Sequence, residues 1–188
     1  MDTAYYLNLN FEENVRKAFA FLCELGFAEI EALPTLVRYQ KDGIEVNVYY
    51  GRQSHEIGAS IIAFGNRYPI STIIRITDPK EFDHFHYTMA STPDGVAAAL
   101  EDLSLLMKHY GRKALEGDFQ FFLMLERQQR MWAEDYALDV LTRQLRPQAD
   151  EAFRKKDYLK ATELYSRIKE RLSPAELKKL NIAEKYCK

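Results

Sequence analysis

The residues best suited to hold a metal are Asp83-His84-Phe85-His86. On a strand, His84 and His86 share a face, and two neutral imidazoles there could bind Zn²⁺, with Glu81 or His55 completing the set. A closed zinc site takes four ligands, no second Cys or His cluster sits at ligand spacing, and His109 is far along the chain. The pair therefore reads as loop histidines, and neither metal nor other cofactor is expected. The densest polar stretch is Arg52-Gln53-Ser54-His55-Glu56, which offers a base, a hydroxyl and a carboxylate. Adjacent turn residues point in different directions, whereas a nucleophile and its base must meet in space, so the stretch reads as a hairpin loop. Cys23 is a weak nucleophile candidate because its neighbours Phe19, Leu22 and Phe27 predict burial.

Motifs bound to particular backbone geometries are missing: no GxxxxGK[ST], no GxGxxG after a strand, no GxSxG elbow and no HExxH. No catalytic residue is assigned and an enzyme is not expected, although a site scattered along the chain, such as a metal hydrolase using His84 and His86, is the rival reading. What the hairpin region offers instead is a binding surface: Tyr49, Tyr50, Arg52, His55 and Glu56, chosen from strand alternation and hairpin exposure.

The elements that must position these residues follow from periodicity. Residues 12–26 read as an amphipathic helix through Val15, Phe19, Leu22 and Leu25, with Asn10 and Glu13 as a capping box and Gly26 as the stop. Strands are expected at 35–39, from Ile44 through Val46 and Val48, at 57–64 and at 70–77, joined by a turn at Lys41-Asp42-Gly43 and another at 66–69. Connections this short enforce antiparallel pairing, giving a four-stranded meander packed on the N-terminal helix. Residues 78–89 are open between a short helix and a loop. Thr92-Pro93-Asp94 starts a helix lined by Val96, Leu100, Leu103, Met107 and Tyr110 and stopped by Gly111. A longer helix fits 118–145, with Pro147 marking its end or a kink. The fold class is thus α+β, with an α+β domain over 1–146 and a helical extension over 147–188.

Composition fits a folded chain: 188 residues, 47% hydrophobic and 29% charged, with twelve Tyr and eleven Phe. Residues 1–10 lack a basic leader, and no stretch reaches the roughly 18 to 20 apolar residues of a membrane helix, so a cytoplasmic protein is expected. Cys23 and Cys187 lack CxxC spacing and are expected reduced. The net charge of −2 divides unevenly: −5 over residues 1–95, −2 over 96–144 and +5 over 145–188. Arg154-Lys155-Lys156 and Lys178-Lys179 could touch phosphate, but no groove-reading helix or RNP-like aromatic strand accompanies them, so nucleic acid is not the expected partner.

Two resemblances follow. Ala149, Ala152, the turn Asp157-Tyr158, Ala161, Tyr165 and the break at Ser173-Pro174 resemble one tetratricopeptide repeat, with helices at 148–156, 158–172 and 174–186. Ala183 falls thirty-four residues after Ala149, and Tyr186 stands where a second repeat places an aromatic, whereas Gln148 and Ile168 depart from the pattern. This implies a helical hairpin, with a peptide-docking adaptor as the alternative. Residues 37–61, VRYQKDGIEVNVYYGRQSHEIGASI, resemble bacterial immunity proteins encoded beside polymorphic toxins. That resemblance implies a protein without cofactor or small-molecule substrate that occludes a cognate toxin by binding it. It transfers no interface residue.

Overall fold

The structure is a computed structural model that describes residues 9–187; residues 1–8 of the stretch read for a leader lie outside the described residues. It divides into two compact units, Met1–Arg127 and Gln128–Lys188. The class is α+β, with an antiparallel sheet and a helical C-terminal half. Among the described residues no helix is long and apolar enough to cross a membrane.

The first unit opens with α1 (Phe11–Ala18) and α2 (Ala20–Glu24). The single helix expected over 12–26 is broken at Phe19, whose φ of −100° and i→i+3 bond from Leu22 re-aim the chain. Val15, Phe19 and Leu22 all reach the core as a result. Asn10 is no capping box: its backbone is left-handed, with φ 50°, so its side chain caps nothing. Gly26, with φ 89°, does end α2; its N–H bonds Cys23 O and that of Phe27 bonds Leu22 O, a Schellman closure.

Six strands follow: β1 (Ala28–Leu33), β2 (Leu36–Lys41), β3 (Ile44–Tyr50), β4 (Glu56–Ala63), β5 (Asn66–Pro69) and β6 (Thr88–Met89). They run β1-β2-β3-β4-β5 antiparallel, and β6 pairs with the start of β4. The four-stranded meander is therefore corrected in three places. β1 is an added edge strand, missed because AEIEAL shows no buried alternation. β5 occupies the stretch read as a turn, because the chain turns earlier, at Phe64-Gly65. The last expected strand, 70–77, is instead the helix α3 (Ile70–Thr77), which buries Ile70, Ile73 and Ile74 at i, i+3 and i+4. β propensity lost there to a helical burial period.

Next come α4 (Pro79–Phe82), α5 (Pro93–Tyr110), α6 (Arg112–Leu115) and the 36-residue α7 (Phe119–Arg154). Thr92 caps α5 by accepting from Gly95 N at 3.2 Å. Helix α5 packs on α1, and both join the inward sheet residues Val37, Tyr39, Val46, Val48, Ile57, Ala59 and Ile61 in one core with α3. So several helices, not the first alone, cover that face. Pro147 lies inside α7, which continues to Arg154 despite the lost N–H.

The second unit contains the rest of α7, then α8 (Tyr158–Arg167), a 3₁₀ turn at Lys169–Arg171 that cuts the expected helix short, and α9 (Pro174–Tyr186). Leu145, Ala149, Ala152, Ala161, Leu164, Tyr165, Ile168, Leu180 and Ala183 form its own core. Small alanines let these helices approach closely, and ion pairs of Arg146 with Glu176 and of Arg171 with Asp135 and Asp139 border them.

Candidate functional site

Strand alternation separates the residues singled out around the second hairpin. Tyr50 faces inward and is 3% exposed, so it is a core residue rather than a contact surface. Its hydroxyl donates to Ala90 O at 2.9 Å and lies 2.6 Å from His55 Nδ1. Having one proton, already given to a carbonyl, the hydroxyl must accept from His55, which fixes Nδ1–H on the imidazole. His55, at φ 55°, also accepts from Ala90 N through its carbonyl, so these two residues lock β6 beside the 51–56 loop. Arg52 reaches Thr35 Oγ1 at 3.4 Å. Arg52 is exposed, and Tyr49 and Glu56 are half-buried on the outward side.

The outward side of the sheet is where polar groups gather. Register pairs Leu36 with Tyr49, Arg38 with Asn47, Tyr49 with Gly58, Asn47 with Ser60 and Ile62 with Arg67. The Tyr49 ring lies across Gly58, where any Cβ would collide with it, so glycine is required by close approach. The Arg67 guanidinium carbon sits 5.4 Å from the centroid of that ring, and its Nε–H donates to the fully buried Ser60 Oγ at 3.0 Å. Burial above all, then Tyr87 and Glu56, pushes the Tyr49 hydroxyl above its ordinary range, so it stays protonated in neutral solution. Arg38 faces Glu31 at 3.1 Å and Glu45 at 3.7 Å. A register shift between Glu29 and Glu31 makes this possible: without it both would share a face, whereas Glu29 reaches Arg16 of α1 at 2.8 Å.

Next to this group Phe64 stands at the β4–β5 turn, 64% exposed, with φ 53° followed by Gly65 at 77°. Two positive φ values make a type I′ turn, whose first position favours Asn, Asp or Gly. Phe64 contacts Phe119 and Phe122 edge-on at 5.6 and 5.4 Å, and Phe119 is itself exposed. Sequence reading missed Phe64 and Arg67 because the turn was assigned two residues late; the dipeptide Phe64-Gly65 was the available signal.

Asn47, 6% exposed, carries a buried Oδ1 with no hydrogen-bond partner among the described residues. Asn47→Val should therefore stabilise the protein by about 1 kcal/mol, since it removes an unsatisfied acceptor from a central strand that suits β-branched residues. Urea denaturation checks this, and a loss of stability would mean that the amide is satisfied.

The other candidates do not converge. His84 Nδ1 turns back to Lys80 O of the preceding helix α4 at 3.0 Å, both it and His86 are exposed, and among the described residues no group of three His, Cys, Asp or Glu is placed to hold a metal. Cys23 is exposed rather than buried, because the break at Phe19 leaves Leu22 as the buried residue of α2. Lys155 and Lys179 pair with Glu151 and Asp150. An open cleft of about 730 Å³ is lined by Tyr110, His109, Lys113 and Phe121 among others. Its carboxylates Asp78 and Asp118 cap α4 and α7, and its Arg112 pairs with Glu116. No family model matches the chain, and neither a curated protein nor a solved structure resembles it significantly.

Proposed function

We propose that this protein works by binding another protein through the tip of its β4–β5 hairpin. The observation that carries this reading is Phe64. A bulky aromatic in left-handed backbone is disfavoured where Asn or Gly fits, and most of this ring is exposed even though one edge meets Phe119 and Phe122. Beside it stands an exposed Phe119, and aromatic side chains are among the types that anchor interfaces.

The partner we propose is a toxin, which this protein neutralises by stoichiometric occlusion. Support comes from the resemblance of residues 37–61 to immunity proteins encoded beside polymorphic toxins. An interface of about 800 Å² per partner suffices. Residues 1–127 hold 12 Lys and Arg against 18 Asp and Glu, a net charge of −6, so association with a basic toxin should slow as salt rises. Co-expression with the toxin gene adjacent to this one, followed by co-purification and a growth assay, tests the reading. Protection with a one-to-one complex is expected. No protection and no complex contradicts it, and protection without a complex points instead to an enzyme that reverses the damage.

A further inference from the structure

We infer that Arg67 is a preset receptor for a carboxylate, and that the partner docks by laying an Asp or Glu side chain against it. The inference rests on the reading that this face binds a protein. Its first ground is how the guanidinium is held. Nε–H is committed to the buried Ser60 Oγ, and the plane lies over Tyr49, which itself rests on Gly58. The rotamer freedom that an arginine ordinarily loses on binding is therefore already restricted, which raises affinity per contact.

The second ground is what the guanidinium lacks. Arg16 grips Glu29 with two hydrogen bonds, and Arg38 lies against Glu31 and Glu45, so the arginines facing β1 have carboxylates supplied by the fold. Arg67 has no carboxylate within ion-pair distance among the described residues, and its terminal nitrogens find no acceptor there. Its cross-strand neighbour is Ile62 and its strand neighbours are Asn66 and Tyr68. A planar fork with its Nη edge unpaired matches a carboxylate bidentately.

The third ground is charge. One such arginine in a unit of net charge −6 does not suit a polyanion, whose neighbouring phosphates would be repelled; a single carboxylate can be neutralised locally.

Two measurements test this. Arginine side-chain NMR of the full protein during titration with sodium acetate, against sodium chloride at equal ionic strength, should show a saturable shift at Arg67 Nε–H and the Tyr49 ring. Arg112, already paired with Glu116, should shift far less. Linear, non-saturating shifts of equal size at both arginines overturn the receptor; so does inorganic phosphate saturating Arg67 while acetate does not. In the complex with the adjacent-gene toxin, Arg67→Gln should weaken binding about thirty-fold or more, with circular dichroism unchanged, and Arg67→Lys should recover only part of the loss. Unchanged affinity for Arg67→Gln overturns the carboxylate anchor and leaves the binding reading standing. If the wild-type protein forms no complex, the binding reading falls, and the partner claim with it.

Discussion

Replacing Tyr165 with alanine should remove about 3–5 kcal/mol from the C-terminal unit, comparable with the whole stability of a piece of that size. Tyr165 is fully buried in the core formed with Ala149, Ala152, Ala161, Ile168, Leu180 and Ala183. Those alanines cannot extend to refill the space of a lost ring, so the cavity persists. Its hydroxyl also donates to Asp150 Oδ1 at 2.6 Å, where Lys179 converges. Burial first, then this bond to Asp150, drives the phenol well above its usual range. Tyr165→Phe keeps the ring and should lose only about 1 kcal/mol. Burial alone would raise the Asp150 carboxyl, but the bonds from Lys179 and Tyr165 outweigh it and hold it below the usual 3.8. A depressed carboxyl adds stability above its unfolded value and loses it as pH falls through the folded one. The acid-sensitive part of that stability should therefore shrink in Tyr165→Phe. Amide hydrogen exchange at Ala161 and Leu180 reads all three effects; native protection in Tyr165→Ala would contradict the packing described.

Ile73→Ala should cost about 2–5 kcal/mol, and Thr72→Ala under about 1 kcal/mol. The contrast separates helix from strand. A strand over 70–77 places Thr72 on the face of Ile70 and Ile74, whereas α3 buries Ile70, Ile73 and Ile74 and leaves Thr72 half-buried. Denaturant unfolding of both variants decides it; equal costs would contradict the helix.

That segment shows where sequence reasoning stops. ISTIIRIT is rich in β-branched residues, and local preference favours a strand; only the core waiting on one side makes the i, i+3, i+4 period decisive. The elements that were legible carry signals independent of tertiary context: Asp42-Gly43 with two positive φ values, the Thr92-Pro93 start of α5, and the Ser173-Pro174 break before α9. Both β1 and β5 escaped notice because they are stabilised by pairing with a neighbour rather than by a pattern of their own. The candidate site was half legible. Tyr49 and Glu56 were placed on the surface by alternation, yet the same alternation sends Tyr50 inward. Arg67 and Phe64 depend on a cross-strand register that sequence spacing alone does not reveal.

Binding through the hairpin tip is the central claim, and Phe64→Asn tests it most directly, because turn chemistry and function then pull in opposite directions. Asparagine tolerates the left-handed position better than phenylalanine, which offsets the lost ring contacts with Phe119 and Phe122, so the variant should stay folded and melt close to the wild type. Calorimetric titration of the adjacent-gene toxin should give a one-to-one complex with the wild-type protein and at least about thirty-fold weaker binding with Phe64→Asn. A variant that binds the toxin as tightly as the wild type would contradict the account.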